Sequence, residues 1–184
     1  MTAPAEPRET TAVFTLRPLD PLTDCELVHD WVTRPESAFW LMQNAKLPDV
    51  ERAYMAIAAA DHRDAFLGLH AGVPSFLVER YDPSYAELVG LYDPLPGDVG
   101  MRLLALPSEV RFPVPGFTLG ALTAAVRELF ADPATERVVI DPDLRDTTAH
   151  VLLEAVGFRA ETVVQKPEKQ ALLSFCTRER FAAA

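Results

Sequence analysis

The apolar period changes after residue 106 of this chain, and that change constrains the fold more than any other feature. Between residues 65 and 106 the apolar residues come in short strand-like runs. From 117 onward they recur first at helical spacing, then in alternating buried runs and helical faces. A row of strands that gives way to strands alternating with helices calls for a mixed sheet. At 184 residues the chain suits one domain.

The order of elements is readable. FTLRPL (14–19) alternates like a strand. Residues 22–33 read as a helix capped by Asp20 or Thr23. Residues 48–60 form a second, with Val50, Tyr54 and Ile57 on one face. AFLGLH (65–70) and SFLVERY (75–81) flank Ala71-Gly72, which signals a hairpin. ELVGLY (87–92) and VGMRLLAL (99–106) read as further strands. Residues 117–131 carry Leu122, Val126, Leu129 and Phe130 on one helical face. ERVVIDPD (136–143) is a buried strand, and 146–156 is a helix closed by Gly157. Residues 158–164 and 171–176 supply the last strands. The expectation is one α+β domain over 14–181, behind a Pro- and Thr-containing tail at 1–13.

Composition removes several function classes. A net charge of −10 repels a phosphate backbone, so no nucleic-acid partner is expected. No run of 18 apolar residues exists to cross a membrane, and the N-terminus lacks the pattern of a secretory signal. Cys25 and Cys176 form no CxxC pair, and His29, His62, His70 and His150 are scattered. No metal site is expected, and both cysteines read as small buried hydrophobes in a reducing cytoplasm.

Three segments carry chemistry. VPGFTLGAL (114–122) joins a strand to a helix; Gly116 permits close backbone approach and Thr118 is a candidate N-cap. Backbone N–H groups at such a helix start can cradle phosphates, although a plain β–α turn would look the same. DTTAHVLLEAVGF (146–158) is an amphipathic helix ending in glycine. Asp143 ends the strand at 136–143, where Asp is a favoured cap for the helix at 145–156.

The segment 146–158 resembles the acetyl-CoA-binding helix of GNAT acyltransferases, with Asp146, Ala149, Leu153, Gly157 and Phe158 in that family's spacing. HDWVTRPESAFWLMQ (29–43), FLVERYDP (76–83), GDVGMRLL (97–104), IDPDLRD (140–146) and PEKQALLSFCTRERF (167–181) follow in order. Together they resemble the siderophore-biosynthesis branch of GNAT enzymes, including the lysine N-acyltransferases of mycobactin and aerobactin-type pathways. The tail is most similar to desferrioxamine-pathway acyltransferases. The resemblance implies the GNAT fold, a central mixed, mostly antiparallel sheet flanked by helices. It implies transfer of an acetyl or succinyl group from acyl-CoA to a small-molecule amine or hydroxylamine such as N-hydroxycadaverine, giving a hydroxamate. The enzyme would be a monomer or homodimer. The alternatives are a general amine or antibiotic N-acetyltransferase, and a weak or inactive acyl-CoA-binding protein.

The resemblance also assigns residues. CoA is expected between 99–106 and 136–141, with its pyrophosphate on Pro115, Gly116, Phe117, Thr118 and Leu119, and with Asp146 and His150 on the adjoining helix. Leu153 replaces the tyrosine that often protonates the thiolate. Arg102 replaces a histidine that is a catalytic candidate, and a guanidinium cannot act as a base. Asp143 is then the remaining candidate to orient or deprotonate the acceptor. A carboxylate partner is expected for Arg102, namely Asp143, Asp98 or the end of a succinyl donor, unless it points outward. Trp40 and Gln43 are expected to line an acceptor groove, and Glu79 and Tyr81, with Asp82, to hold a distal ammonium.

Overall fold

A computed structural model describes residues 13–85, 88–105 and 116–184. β1 (Phe14–Pro18) is followed by α1 (Cys25–Val32), a 3-10 helix (Pro35–Trp40) and α2 (Leu47–Ala58). A meander comes next: β2 (Arg63–His70), β3 (Val73–Tyr81) and β4 (Asp98–Ala105). Then come α3 (Phe117–Ala131), β5 (Arg137–Ile140), α4 (Thr147–Val156), β6 (Arg159–Gln165), β7 (Gln170–Thr177) and α5 (Arg178–Ala183). The strands form one sheet in the order β1-β2-β3-β4-β5-β7-β6. Every neighbouring pair is antiparallel except β4 with β5. This is the mixed, mostly antiparallel sheet that the sequence predicts.

Local chemistry explains the boundaries. Ala71 and Gly72, with φ of 50° and 82°, make the tight turn whose twist suits a hairpin. α3 covers the expected 117–131 and buries Leu122, Val126, Leu129 and Phe130. α4 stops at Gly157, whose φ of 105° would strain any side chain. Val28, Val32, Val50, Tyr54 and Ile57 of α1 and α2 pack on Leu67 and Leu77. α3 and α4 cover the opposite face, against Phe76, Val78, Met101 and Val138.

Some expectations change. Residues 88–92 form turns rather than a strand, and Glu87 lies outside the described residues. Leu88, Leu91 and Tyr92 lie instead over Tyr81, Val139 and Phe175, on a part of the sheet that α1 and α2 leave open. Pro94 and Pro96 follow at once, and neither can donate to a ladder. α1 begins after Asp24, not after Asp20 or Thr23, and Arg17 grips the Asp24 carboxylate at 2.7 and 2.8 Å. Gly116, not Thr118, is the cap residue of α3.

Candidate functional site

Pairing between β4 and β5 lasts three residues: Asp98 with Arg137, Val99 with Val138 and Gly100 with Val139. Pro142 follows β5 and has no N–H to extend a ladder. The chain after β5 is drawn to β7 instead. Leu172 N–H donates to Pro142 O at 2.9 Å, and Leu144 N–H donates to Gln170 O at 2.9 Å. β4 meanwhile continues along β3 to Ala105. The two strands part, and a cleft of about 300 Å³ opens between them. It passes through the sheet, because Met101 and Leu103 line it on the α3–α4 face while Arg102 and Leu104 line it on the other. Among the described residues, the edge of β4 beyond Gly100 that faces the cleft has no strand partner.

α3 starts at one mouth of this cleft. Its cap residue Gly116 has φ of 73°, and a side chain placed there would meet nothing within 4 Å. No described side chain caps the first turn. The N–H groups of Phe117, Thr118 and Leu119 precede the first intrahelical bond, Gly120 N–H to Gly116 O at 2.8 Å. Such donors at a helix start suit a diphosphate. Thr118, Leu122, Ala149, Leu152 and Leu153 continue the wall inward. Pro115 lies outside the described residues.

At the other mouth the 3-10 helix and Arg102 meet. The Arg102 guanidinium lies 4.1 Å from the Trp40 ring centroid and donates to Trp40 O at 3.2 Å. It also pairs with Glu79 at 3.1 Å. Glu79 is 3% exposed and accepts from Tyr54 Oη at 2.8 Å and from Arg63 at 3.4 Å. Burial, reinforced by the Glu79 charge, holds the Tyr54 phenol well above its usual range. Among the described residues the anion that Arg102 meets is therefore Glu79, neither Asp143 nor Asp98. Asp98 is gripped by Arg137 through two 2.8 Å bonds. Glu79 does not line the cleft, and its committed partners leave it unsuited to holding a substrate ammonium. Tyr81 is also buried away from the cleft, against Gly100.

Asp143 does line the cleft. Its carboxylate accepts from the Arg145 side chain at 2.9 and 2.8 Å and from Arg145 N–H at 2.8 Å. The Arg145 guanidinium holds it at about 2 despite burial, so it is a poor proton acceptor. Asp143 is covered, yet Arg145 is 80% exposed, so water screens the pair. Nor does Asp143 cap α4. Asp146 does, accepting from Ala149 N–H at 3.0 Å, and it too lines the cleft.

Trp40 lines the cleft while remaining 6% exposed in the α1–α2 core. Gln43 donates to Arg34 O and Pro35 O at 3.4 and 3.3 Å and does not line it. His150 borders a separate hollow with Phe158 and Ser174, and its Nε2 lies 3.2 Å from Leu144 O. Asp141, Lys166 and Lys169, which sequence reasoning passed over, line the cleft together. Their only sequence signal was a DPD at a strand end and a lysine-bearing turn, QKPEK, some 25 residues later. Among the described residues no group of three His, Cys, Asp or Glu could hold a metal, and no helix is long and apolar enough to cross a membrane.

Known proteins resemble this chain in sequence and in fold. Lysine N-acyltransferase MbtK of Mycobacterium sp. (strain MCS) is 29% identical over 149 residues, covering 78% of this chain and 59% of the relative. The protein of that name from Mycolicibacterium paratuberculosis (strain ATCC BAA-968 / K-10) is 30% identical over 75% of this chain and 62% of its own length. The chain thus spans about 60% of the length of the curated relatives it matches. The solved structure of AAC(6')-Ib with ribostamycin and coenzyme A superposes with a TM-score of 0.80 at 23% identity, over 92% of this chain and 96% of the other. An uncharacterized Bacillus halodurans protein superposes with a TM-score of 0.81 at 24% identity, over 92% and 86%. Both structural likenesses concern the fold. The family model for the acetyltransferase (GNAT) domain matches residues 20–166, and this chain belongs to that family.

Proposed function

We propose that this chain is an acyl-CoA-dependent N-acyltransferase that acts on an N-hydroxylated diamine and yields a hydroxamate for siderophore biosynthesis. The observation that carries this reading is the cleft opened where β4 and β5 part, with helix donors at one mouth and the Trp40–Arg102 contact at the other. The diphosphate of CoA would rest on the N–H groups of Phe117, Thr118 and Leu119, and its pantetheine arm would follow Thr118, Leu122 and Leu153. The thioester carbonyl, of an acetyl or succinyl donor, would then lie beside the unpaired edge of β4, where a backbone N–H can polarise it.

The protonation chemistry at the two positions the family resemblance singles out supports a hydroxylamine acceptor. Arg102 cannot take a proton, and Asp143 is held at about 2. A lysine-like ammonium, with a pKa of ~10.4, would need a base before attack. An N-alkylhydroxylamine is far less basic, because its oxygen withdraws electron density, and it is largely neutral near pH 7. Its nitrogen attacks the carbonyl, the C–N bond forms, the C–S bond breaks with the thiolate leaving, and the nitrogen's proton passes to water. Positioning supplies the rate. The relatives' name, lysine N-acyltransferase, supports a lysine-like acceptor; N-hydroxycadaverine has that side chain without the carboxylate.

Thiol release from acetyl-CoA tests this with N-hydroxycadaverine, N-hydroxyputrescine and cadaverine at neutral pH. Hydroxylamine turnover at least tenfold above that on cadaverine is expected. Equal turnover on cadaverine would point to a general amine acetyltransferase. CoA binding by calorimetry without turnover would leave the binding-only protein, the outcome that Leu153 and Arg102 in the family's catalytic positions would then explain.

A further inference from the structure

The turn between β6 and β7 brings two lysines to the cleft. Lys166 is 8% exposed, and its Nζ donates to Asp141 Oδ2 at 2.8 Å. Glu168 stands 3.7 Å from that ammonium, beyond hydrogen-bond range. An ammonium carries three N–H donors, and among the described residues one of the three has an acceptor. Lys169 Nζ donates to Asp141 O at 2.7 Å and lies 3.6 Å from the same carboxylate. Two ammonium groups thus line the cleft, Lys166 between the buried Asp141 and the partly exposed Glu168, and Lys169 beside Asp141 and within the field of Asp143. A staple between the turn and β5 would need only one of them. The second anion already present, Glu168, is partly exposed and stands beyond hydrogen-bond range, so a carboxylate in the cleft could take its place at a shorter distance.

We propose that Lys166 and Lys169 form a carboxylate subsite in the cleft, an inference that rests on the N-acyltransferase reading above. The incoming carboxylate takes the open donors of Lys166 and displaces Glu168, which holds no hydrogen bond there. Two sources offer this chemistry. One is the free end of a dicarboxylic acyl donor such as a succinyl group. The other is the α-carboxylate of a hydroxylated amino acid acceptor.

Two matched pairs of substrates separate the sources. Succinyl-CoA and butyryl-CoA differ by a carboxylate in place of a methyl group. N6-hydroxylysine and N-hydroxycadaverine differ by the α-carboxylate alone. The kcat/KM ratio within each pair is measured on the full chain and on Lys166→Gln and Lys169→Gln. Calorimetry of succinyl-CoA, butyryl-CoA and N6-hydroxylysine reads the same preference without turnover. The wild type should prefer the carboxylate-bearing member of one pair, and both variants should cut that preference at least tenfold. The pair that responds identifies the source. A wild type without preference in either pair, or variants that shift no ratio and no affinity by more than twofold, would overturn the subsite. Absent turnover on every acceptor, with the affinity difference intact, would instead sink the acyltransferase reading and leave the subsite standing. If Lys166→Gln does not fold, Lys169→Gln decides alone, because its ammonium is less enclosed.

Discussion

Asp143 and Asp146 stand three residues apart and have different tasks. Asp146 holds the first turn of α4, while Asp143 holds Arg145 and the turn that bends the chain toward β7. The sequence offered Asp143 as the cap, and nothing local gave that task to Asp146 instead. The Asp143 carboxyl sits at about 2 when folded, below the ~3.9 of an unfolded aspartate. Its contribution to stability is therefore full above roughly pH 4 and is lost as the pH falls toward 2. Arg145→Ala should move the Asp143 pKa up toward the ordinary value, read by NMR titration of the side-chain carboxyl. An unchanged pKa would mean that the backbone N–H alone holds it. The Glu79–Arg102 pair was hidden for another reason. The two residues face each other across β3 and β4, but 22 residues separate them, so only the register brings them together. Arg102→Met leaves Glu79 buried with Tyr54 and Arg63 as its partners among the described residues and should destabilise the fold by ~1–3 kcal/mol in urea unfolding. A second substitution, Glu79→Gln, should recover part of that loss. A single variant as stable as the wild type would show that the contact holds nothing.

The elements with strong periodicity were legible. α3, α4 and the Ala71-Gly72 hairpin sit where the pattern placed them, because burial of one face and a glycine or tight turn at the end decide them locally. The run 87–92 misled, since its apolar residues cover a face of the sheet without joining it. The 3-10 helix and α5 are each six residues long, too short for a period to register. The cleft was half legible. The resemblance set CoA between the strands at 99–106 and 136–141, but the length of their pairing depends on Pro142 and on where β7 takes the chain. Gly100 marks the last paired position. A Cβ there would meet the Tyr81 ring at 2.2 Å, with Tyr81 almost fully buried. Gly100→Ala should therefore cost ~1–3 kcal/mol through overpacking at the root of the cleft. Thermal unfolding checks the cost, and calorimetry should show weaker CoA binding in the same variant. Unaltered affinity would mean that the parting of the strands does not depend on the Tyr81–Gly100 contact.

The molecule as a whole carries ten more negative than positive charges. CoA is itself a polyanion, so the two repel until they are close. Salt shortens that repulsion, with a Debye length of ~30 Å at 0.01 M and ~8 Å at 0.15 M. Stopped-flow association of CoA should quicken as salt rises over this range. A rate that falls would reveal a locally positive entrance strong enough to outweigh the net charge. The placement of the two thiols adds another readout. Cys25 is enclosed in the α1–α2 layer, and Cys176, next to the last residue of β7, is packed with α3 and α4. Burial lifts the Cys176 thiol to about 11 and raises Cys25 as well, so neither is reactive while its surroundings stay closed. An added disulfide reagent then becomes a clock with two hands, one for each layer of the molecule. α1 is only eight residues long, so its hand should move first, and any interval between the two labelling times measures how far the layers open independently of each other.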